Sequence, residues 1–342
     1  MDPRMQPVQI VPVGVVRSLV KVPDEMPLAG VPASIEVFPA YVAALDGIEE
    51  YSHLFILCHM DGAGRDVIKA RPRKLGEGLP ERGVFAMRSP ARPNPIGLCV
   101  SKLVRRKDSI LHVEPLDAVD GTPVVDIKPY AYGWDCIFSA RSARPMIDPR
   151  FAPAELLADA LRMARNFHGE ACPGIVIGVR ATLAALRELG IDDPRGARRL
   201  VVFAESDRCV TDAVMALTGC TPGKRTLKLT DAGKLAATFL DTATGRAVRV
   251  VPRDAPAGSG GEAHAAEARE ATSRRLLAMD EKELLVLSEV RLQLRDEDRP
   301  GPPSFSVRCE ACGETVHDRR DVKTGGRTLC RHCAGQGYYT VL

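Results

Sequence analysis

The sequence contains no run of about eighteen apolar residues, the length that a membrane-spanning helix needs, so we expect no membrane association. The start, MDPRMQPVQIVPVG, also lacks an apolar stretch followed by a cleavage site, so we expect no secretory signal and a cytoplasmic protein. Charge of one sign is scarce as well: the formal net charge of the 342 residues is +3, which does not by itself indicate a nucleic-acid partner. No glycine-rich Rossmann motif follows a predicted strand and no Walker loop is present, so the common motifs of nucleotide binding are missing.

The positive charge that is present is concentrated in one segment. From Arg65 to Lys107 there are twelve lysines or arginines against three acidic residues, a local balance of +9. Such a segment fits contacts to an RNA backbone, and it also fits a solvated basic surface. Phe85 is the one aromatic residue within it. The sequence leaves the two interpretations open.

Short runs of strand-forming residues fill positions 8–140. They are VQIVPVGVV, ASIEVFPAYV, HLFILCHM, GLCVSKLV, ILHVEPL and VVDIKPY, separated by clusters of glycine, proline and aspartate. Several short strands with recurring turn signals predict a small all-β barrel or sandwich. The stretch SARSARPMIDPRFAP, from Ser139, has the composition of a linker. We therefore place a first, all-β domain at residues 1–142.

The pattern changes at about residue 153, where helical and strand-like segments begin to alternate. AELLADALRMARNFHG and VRATLAALRELG have helical spacing, RRLVVFAES and AVRVVPRD have the composition of strands, and DAVMALTGC and DEKELLVLSEV are interpreted as further helices. This alternation predicts an α+β domain at residues 153–300. The stretch DEDRPGPPS is interpreted as the last linker.

The ten cysteines fall into two kinds by spacing. Six are scattered singly, whereas four form two C-x-x-C pairs, CEAC and CRHC, separated by 17 residues. Two such pairs at this separation match a tetrahedral zinc site in which each pair supplies two thiolates. The predicted ligands are Cys309, Cys312, Cys330 and Cys333. Because all four ligands come from protein, we predict a structural zinc ion and a small four-cysteine zinc finger at residues 304–342.

Two stretches of the first domain carry chemistry. FAMRSPARPNPIGLCVSKL (85–103) places two arginines on a loop stiffened by proline, and DGTPVVDIKPY (120–130) places acidic residues and a lysine near a turn. Together with ALDGIEEYSHLFILCHM (44–60), they resemble the TsaA-like family, also called TrmO, over about residues 8–142. The resemblance implies a β-barrel that binds S-adenosylmethionine, works as a homodimer and methylates N6 of threonylcarbamoyladenosine beside the anticodon of certain tRNAs.

The resemblance also assigns roles to single residues. Those that it places at S-adenosylmethionine are His59, Met60, Arg88, Leu98, Asp120, Gly121, Thr122 and Pro123. Those that it places around the pocket or toward the substrate are Arg92, Asn94, Asp126 and Lys128. An amide-like N6 is a poor nucleophile and reacts more readily once its proton is lost, so Asp126 or His59 is the predicted catalytic proton acceptor. The family commonly carries Pro-Arg-Gln near its start, where this chain reads DEMPLAGVP.

The second domain resembles the FmdE family through NFHGEACPGIVIGVRA (166–181), ESDRCVTDAVMALTGCTPGKRTL (205–227) and DAGKLAATF (231–239). The resemblance implies an α+β core, often followed by a four-cysteine finger. The family motif commonly reads His-Gly-His before Cys-Pro-Gly, and here Glu170 replaces the second histidine. The resemblance implies a possible second metal site, which would suit zinc, at His168, Cys172, Cys209 and Cys220. Glu170 is a candidate harder ligand or base, and the alternative is that Cys209 and Cys220 are ordinary buried thiols.

Three functions fit these observations. The first is a tRNA methyltransferase whose barrel transfers the methyl group while the FmdE-like part binds substrate or metal. The second is a protein of one-carbon or metal metabolism that methylates a small molecule or a metal-bound ligand. The third is a sensor that binds S-adenosylmethionine without catalysis. Dependence on tRNA separates the first from the others, and product formation without RNA separates the second from the third.

Overall fold

The computed structural model of the chain separates into two compact units, residues 1–140 and 141–342. The described residues are 8–27, 29–71, 80–140, 146–148, 153–253 and 264–340. Within these ranges no helix combines the length and the apolar character needed to span a bilayer. The finer domain boundaries, at residues 142, 153, 300 and 304, stay predictions.

In its described part, the first unit is built from short strands. They are β1 Gly14–Ser18, β2 Val31–Val37, β3 His53–His59, β4 Lys69–Ala70, β5 Arg82–Gly83, β6 Ile96–Lys107, β7 Ile110–Leu116 and β8 Pro123–Pro129, followed by the helix α1 Tyr132–Asp135. Six of them close into a barrel in the order β1–β2–β7–β6–β3–β8, with every neighbouring pair antiparallel, while β4 pairs with β5 apart from it. Each of the six strand-forming runs overlaps one barrel strand, which confirms the predicted all-β barrel.

Alternation along the strands fills the barrel interior. In β3, Leu54, Ile56 and Cys58 are fully buried, and the residues between them are partly exposed on the outer face. Successive side chains of a strand point to opposite faces, so β3 presents one row to the core and the other to the outside. Burial raises the pKa of the Cys58 thiol to about 12, which marks it as a packing residue.

The barrel closes at a narrow seam between β1 and β8. Only Gly14 with Val124 and Val15 with Pro123 are paired across it in the described residues, whereas β1 and β2 pair along all of β1. Two further backbone hydrogen bonds, from Val13 N to Val124 O at 2.8 Å and from Gly121 N to Val16 O at 2.9 Å, extend the seam. The turn before β8 is therefore part of the closure of the barrel.

The second unit is α+β, as predicted. Its helices are α2 Pro153–His168, α3 Pro173–Leu189, α4 Pro194–Ala197, α5 Cys209–Thr218, α6 His264–Ala278 and α7 Glu281–Leu284. Its main strands are β9 Leu200–Ala204, β10 Leu227–Leu229, β11 Ala237–Asp241, β12 Ala247–Pro252 and β13 Leu285–Val290, in the sheet order β10–β9–β11–β12–β13. The pair β9–β10 is parallel and the other pairs are antiparallel.

Helix α3 is the centre of this unit. Most of its residues are buried, and it packs against α2, α5, α6 and the sheet. A helix that is apolar on nearly all sides belongs inside a core rather than at a surface. Pro173 occupies its first turn, and Gly190 ends it in the left-handed conformation at φ 65°.

The predicted helix over DEKELLVLSEV is wrong beyond its first turn. Asp280 caps the short helix α7 by accepting a hydrogen bond from Lys282 N at 2.8 Å, and the chain then continues as the strand β13. Strand β13 pairs with β12 from Leu285 opposite Pro252 to Val290 opposite Ala247. A short apolar run does not distinguish helix from strand, and here the open edge of β12 decides the conformation.

A small cysteine-containing segment follows in the same unit. It consists of two hairpins, β14 Ser306–Arg308 with β15 Thr315–His317 and β16 Val322–Thr324 with β17 Arg327–Leu329. Ion pairs link it to the preceding chain, because Arg225 contacts Asp318 and Arg320 contacts Asp298 at 2.6 Å. Arg225 also donates to the carbonyl of Glu297.

Asp298 gives this linkage a pH dependence. Burial alone would raise its pKa, but hydrogen bonds from Arg295 and Arg320 outweigh burial and lower the pKa from 3.8 to about 2. A carboxylate with a lowered pKa stabilises the folded state above its unfolded pKa, and this contribution is lost as the pH falls from about 4 to about 2. We expect Asp298→Asn to make the free energy of unfolding less dependent on pH in this range. Denaturant unfolding measured at several pH values checks this, with the exposed Asp296→Asn as control; equal pH slopes for wild type and Asp298→Asn would contradict it.

Candidate functional site

Three segments that carry predicted site residues meet at one end of the barrel. Strand β3 lies between β6 and β8, so its last residue, His59, is opposite Ile96, and Cys58 is opposite Val124. Met60 follows directly, and its backbone N–H donates to Pro95 O at 2.8 Å. The turn that precedes β8 reaches the same end because β8 runs antiparallel to β3. The structure therefore brings together the segments that the family resemblance places at the cofactor.

The predicted residues on the strands share the outer face of the barrel. Leu57 is paired with Leu98 on one side and with Asp126 on the other, so these three side chains point the same way. The same alternation places His59 outward, and Lys128 lies opposite the outward residue Phe55. Leu98 is 46% exposed and thus available to a ligand.

The two arginines of the 85–103 stretch differ in their contacts. Arg88 is exposed, and its guanidinium donates to the carbonyl of Leu98. Arg92 is partly buried and donates to the carbonyls of Ser89 at 2.8 Å, Val84 at 2.6 Å and Met87. Of the roles open to it from the sequence, Arg92 therefore shapes the loop, because its guanidinium is already used by the loop's own backbone. Asn94 is exposed just before β6.

The turn at residues 120–123 is built by its own side chains. Asp120 accepts a hydrogen bond from Ser18 N at 3.1 Å, and the buried Thr122 donates from Oγ1 to Val119 O at 2.8 Å. Gly121 has a φ of 81°, a conformation that favours glycine. The side chains of Asp120 and Thr122 thus fix the turn, while exposed Gly121 and Pro123 leave its backbone accessible.

Asp126 and Lys128 form an ion pair on the outer face, with Nζ 2.7 Å from Oδ2. The other carboxylate oxygen of Asp126 accepts the backbone N–H of Ile127 at 2.9 Å. Both side chains remain partly exposed, at 43% and 61%. The pair is therefore accessible to solvent, and a substrate that approaches this face can replace either contact.

The basic segment is only partly described, because Arg73 and Lys74 lie outside the described residues. Along β6, Lys102, Arg105 and Lys107 are exposed, whereas Arg106 is turned to Glu49 at 3.2 Å and to the carbonyl of Leu45. These three exposed cations lie on one strand that also carries Leu98. A row of cations on a single strand suits a linear polyanion.

A groove of about 730 Å³ lies on a different side of the barrel. It is lined by β1, β2, β6 and β7 residues that include Arg17, Ser34, Arg105 and His112, and it shares only Asp120 with the predicted site residues. Because Asp120 is bonded to the backbone of Ser18, the groove offers no group for methyl transfer at that point. We therefore assign the site to the β3–β6–β8 face.

The four cysteines of the second unit's small segment meet as predicted. Their Sγ atoms, from Cys309, Cys312, Cys330 and Cys333, all lie within 4.8 Å of one another. A tetrahedral zinc ion with Zn–S distances of about 2.3 Å needs sulfur atoms about 3.8 Å apart, so this arrangement fits zinc. Gly313 N donates to Cys309 O at 2.9 Å and Ala334 N to Cys330 O at 3.0 Å, which closes a knuckle at each pair.

A second cluster in the second unit joins three of the four predicted residues. His168 ends α2, Cys172 caps the start of α3 and Cys209 begins α5, and their ligand atoms lie within 4.8 Å of one another. The Nε2 atom of His168 is 3.8 Å from the Sγ atom of Cys172. Burial and the neighbouring Cys172 thiol raise the pKa of Cys209 to about 11. Two thiols are thus packed together in a half-buried position.

Cys220 and Glu170 do not belong to this cluster, which corrects the predicted ligand set. Cys220 lies past the far end of α5, eleven residues after Cys209, where a helical rise of about 1.5 Å per residue separates the two by roughly 16 Å. It is 4% exposed, and its thiol donates to Leu200 O at 3.6 Å. Glu170 is 64% exposed and lies 4.0 Å from Arg269.

Sequence reasoning missed two residues that build the cluster. Asp212, one helical turn after Cys209, accepts from or donates to Nδ1 of His168 at 2.7 Å. A side chain at Gly174 would place its Cβ 2.9 Å from the Cβ of Cys209, so the glycine is required for the close approach of the two helix starts. The spacing of Asp212 from Cys209 and of Gly174 from Gly178 is visible in the sequence, but the partners across the fold are not.

Comparison with known proteins agrees with this division of the chain. The model for the tRNA-methyltransferase O N-terminal domain matches residues 16–136, and the model described as FmdE, molybdenum formylmethanofuran dehydrogenase operon, matches residues 167–289. A probable S-adenosyl-L-methionine-binding protein of Archaeoglobus fulgidus is 34% identical over 99% of this chain and 96% of its own length.

Two partial relatives match one unit each. The tRNA (adenine(37)-N6)-methyltransferase of Escherichia coli is 52% identical over 25% of this chain and 39% of its own length. A crystal structure of an FmdE-like protein of tungsten formylmethanofuran dehydrogenase type, from Syntrophus aciditrophicus, is 25% identical, with a TM-score of 0.37, over 54% of this chain and 95% of that chain. Since the archaeal relative matches almost from end to end, the chain belongs to the TsaA-like, or TrmO, family and carries an FmdE domain after its TrmO domain.

Proposed function

We propose that the barrel is an S-adenosylmethionine-dependent methyltransferase that acts on N6 of threonylcarbamoyladenosine in tRNA. The observation that carries the proposal is the convergence of His59–Met60, the start of β6 and the turn at 120–123 at one barrel end. Its support from relatives is the activity of the Escherichia coli protein, an adenine(37)-N6-methyltransferase. A protein that works on tRNA is expected in the cytoplasm.

The residues at this barrel end fit S-adenosylmethionine. Exposed Leu98 and Met60 offer apolar surface, Arg88 supplies a cation beside Leu98, and the accessible backbone at Gly121 offers polar groups. Met60 packs so closely over Gly97 that a side chain there would meet its Cε, which makes Gly97 a further residue of the pocket. The sulfonium of the cofactor supplies an electrophilic methyl group.

The work left to the protein is alignment of the acceptor and removal of its proton. His59 and Asp126 both lie on the outer face next to Leu98 and are the two candidate proton acceptors. Lys128, which contacts Asp126 at 2.7 Å, holds that carboxylate in place. Comparing His59→Gln with Asp126→Asn at saturating cofactor and tRNA identifies the acceptor as the residue whose loss lowers the transfer rate.

Binding of tRNA and of a second copy use the same strand. Lys102, Arg105 and Lys107 are placed to contact the phosphate backbone, which is read without sequence specificity. The exposed apolar side chains Ile96 and Val100, on either side of Leu98, form the surface proposed to pair two barrels into a homodimer. The zinc finger and the FmdE domain form an accessory metal-binding module.

The alternative function is methylation of a small molecule or a metal-bound acceptor in one-carbon or metal metabolism. The half-buried cluster of His168, Cys172 and Cys209 favours it, because tRNA methylation needs no such group. Under this alternative the barrel still binds S-adenosylmethionine, and product forms without RNA. A sensor that binds the cofactor without any transfer is the third possibility.

The deciding experiment uses the full chain, labelled S-adenosylmethionine and tRNA that carries threonylcarbamoyladenosine, from cells without their own methylase. Label in that nucleoside establishes the tRNA methyltransferase. Label in a small acceptor without RNA establishes the alternative. Cofactor binding without transfer to either leaves the sensor.

Replacing Arg88 with alanine is expected to weaken cofactor binding roughly ten- to hundred-fold, the equivalent of a charged hydrogen bond of about 1.5–3 kcal/mol. Equilibrium binding of S-adenosylmethionine to the purified variant measures this. Arg105→Ala is the matched control, since an exposed arginine of the same basic segment is expected to affect tRNA binding and to leave cofactor affinity unchanged. Wild-type cofactor affinity in Arg88→Ala would remove Arg88 from the site.

A further inference from the structure

The cluster of His168, Cys172 and Cys209 has the donor atoms of a metal site. Two thiols and an imidazole nitrogen lie within 4.8 Å of one another in a half-buried position. Zinc ligands at about 2.0–2.3 Å from the ion are about 3.5–3.8 Å apart, and the 3.8 Å between Nε2 of His168 and Sγ of Cys172 matches that spacing. The ligand atoms therefore need only small movements to hold an ion.

Asp212 prepares the histidine for this role. Its carboxylate lies 2.7 Å from Nδ1 of His168, on the opposite side of the ring from the thiols. When Nδ1 donates its proton to the carboxylate, the tautomer is fixed and the lone pair of Nε2 faces Cys172. Histidine ligands of metal ions commonly have such a carboxylate partner, which sets ring orientation and raises ligand basicity.

The two cysteines are placed where thiolates are favoured. Cys172 is the N-cap of the 17-residue helix α3, and Cys209 is the first residue of the 10-residue helix α5. The positive ends of both helix dipoles point at the cluster, and a thiolate at a helix start is stabilised by the free backbone N–H groups. Gly174 lets the two helix starts come this close.

The cluster supplies three protein ligands and no fourth. Among the described residues no other histidine, cysteine, aspartate or glutamate completes it, since Asp212 is engaged with Nδ1 and Glu170 is exposed beside Arg269. Three protein ligands with one position open is the arrangement of zinc sites that bind an exogenous ligand, in contrast to the closed four-cysteine finger.

We propose that His168, Cys172 and Cys209 bind a zinc ion with one open coordination position, and that Asp212 is the positioning residue for His168. The open position takes water or, by the softness of a thiolate-rich site, a small thiol. The inference deepens the metal-binding role proposed for the FmdE domain and does not depend on methyl transfer by the barrel.

Zinc content of the full chain, purified under reducing conditions and supplied with zinc, tests the proposal. We expect about two equivalents per chain in the wild type and about one in Cys172→Ser, Cys209→Ser and His168→Ala. The matched control is Cys220→Ala, a buried cysteine outside the cluster, which is expected to keep both. Retention of the finger zinc in each variant shows that the second unit is still folded.

Asp212→Asn separates a positioning role from a structural one. It is expected to keep both zinc ions at saturation but to release the second one to a chelator as if its affinity were roughly 10–100-fold lower. In a cobalt-loaded chain, an added small thiol is expected to shift the visible spectrum of the wild type and not that of Cys209→Ser.

The outcomes distinguish this inference from the proposed function. About one equivalent of zinc in the wild type, or about two in Cys209→Ser, overturns the metal site even when label enters tRNA. A disulfide between Cys172 and Cys209 in the reduced preparation also overturns it. About two equivalents without any methyl transfer leaves the metal site standing and sinks the methyltransferase proposal.

Discussion

Replacing Cys309 and Cys330 together with serine is expected to abolish one zinc site and to unfold the segment from residue 304 to 340. The hairpins there have strands of three residues each, and within the described part of the segment only Cys309 and Leu329 are buried. So small a core cannot hold a fold, and the metal supplies the stability, with apparent binding free energies of about 10–16 kcal/mol in comparable peptides.

Zinc analysis combined with limited proteolysis checks this expectation. The double variant is expected to lose about one equivalent of zinc and to be cleaved within the segment, while the rest of the second unit resists. His317→Ala is the control, because His317 lies in the segment and contacts Ser306 Oγ at 2.7 Å rather than the four thiols, so the variant should keep zinc and resistance. A segment that stays protease-resistant without zinc would show that the four thiols are not what folds it.

Replacing Gly178 with valine is expected to lower the free energy of unfolding of the second unit by about 3 kcal/mol, the upper part of the usual range for overpacking. A Cβ at this position would lie 2.7 Å from the Cβ of Ala213 and 2.9 Å from the Cα of Val210. Since Val210 presents backbone, relief requires α3 and α5 to move apart. That movement also displaces Cys209, so the variant is expected to lose the second zinc ion.

Denaturant unfolding of the second unit, followed by helix content, measures the change. Gly133→Val is the control: Gly133 lies in the helix α1, and nothing lies within 4 Å of a Cβ built there. That substitution is expected to change stability by only about a few tenths of a kcal/mol, as the helix propensities of glycine and valine are similar in size. Unchanged stability in Gly178→Val would mean that α3 and α5 are less closely packed than these distances indicate.

Local patterns were sufficient for the barrel and the finger. In β3 the alternation of Leu54, Ile56 and Cys58 with outward residues is visible in the sequence, and it survives in the fold because a strand has a period of two. The two C-x-x-C pairs likewise carry their own geometry, since each knuckle is formed by four consecutive residues. Both features depend on neighbours in the sequence, so they can be predicted from it.

What the sequence concealed depends on partners far along the chain. The run Leu285–Val290 is a strand because β12 offers an open edge, and nothing inside the run states this. Asp212 contacts His168 across 44 positions, and Cys220 fails to join the cluster because the whole of α5 lies between it and the site. Residue type alone suggested Cys220 and passed over Asp212.

The narrow seam between β1 and β8 has a consequence for the dynamics of the barrel. The turn at 120–123 contributes the hydrogen bond from Gly121 to Val16 and the contact of Asp120 with Ser18, so it joins the two ends of the sheet. A ligand gripped by this turn binds the closed barrel and not an opened one, and it therefore lowers the population of the opened state by mass action. Amide hydrogen exchange at Val16, Ser18 and Gly121 then reports ligand occupancy directly, and the strand junction becomes the place where the protein registers whether its cofactor is present.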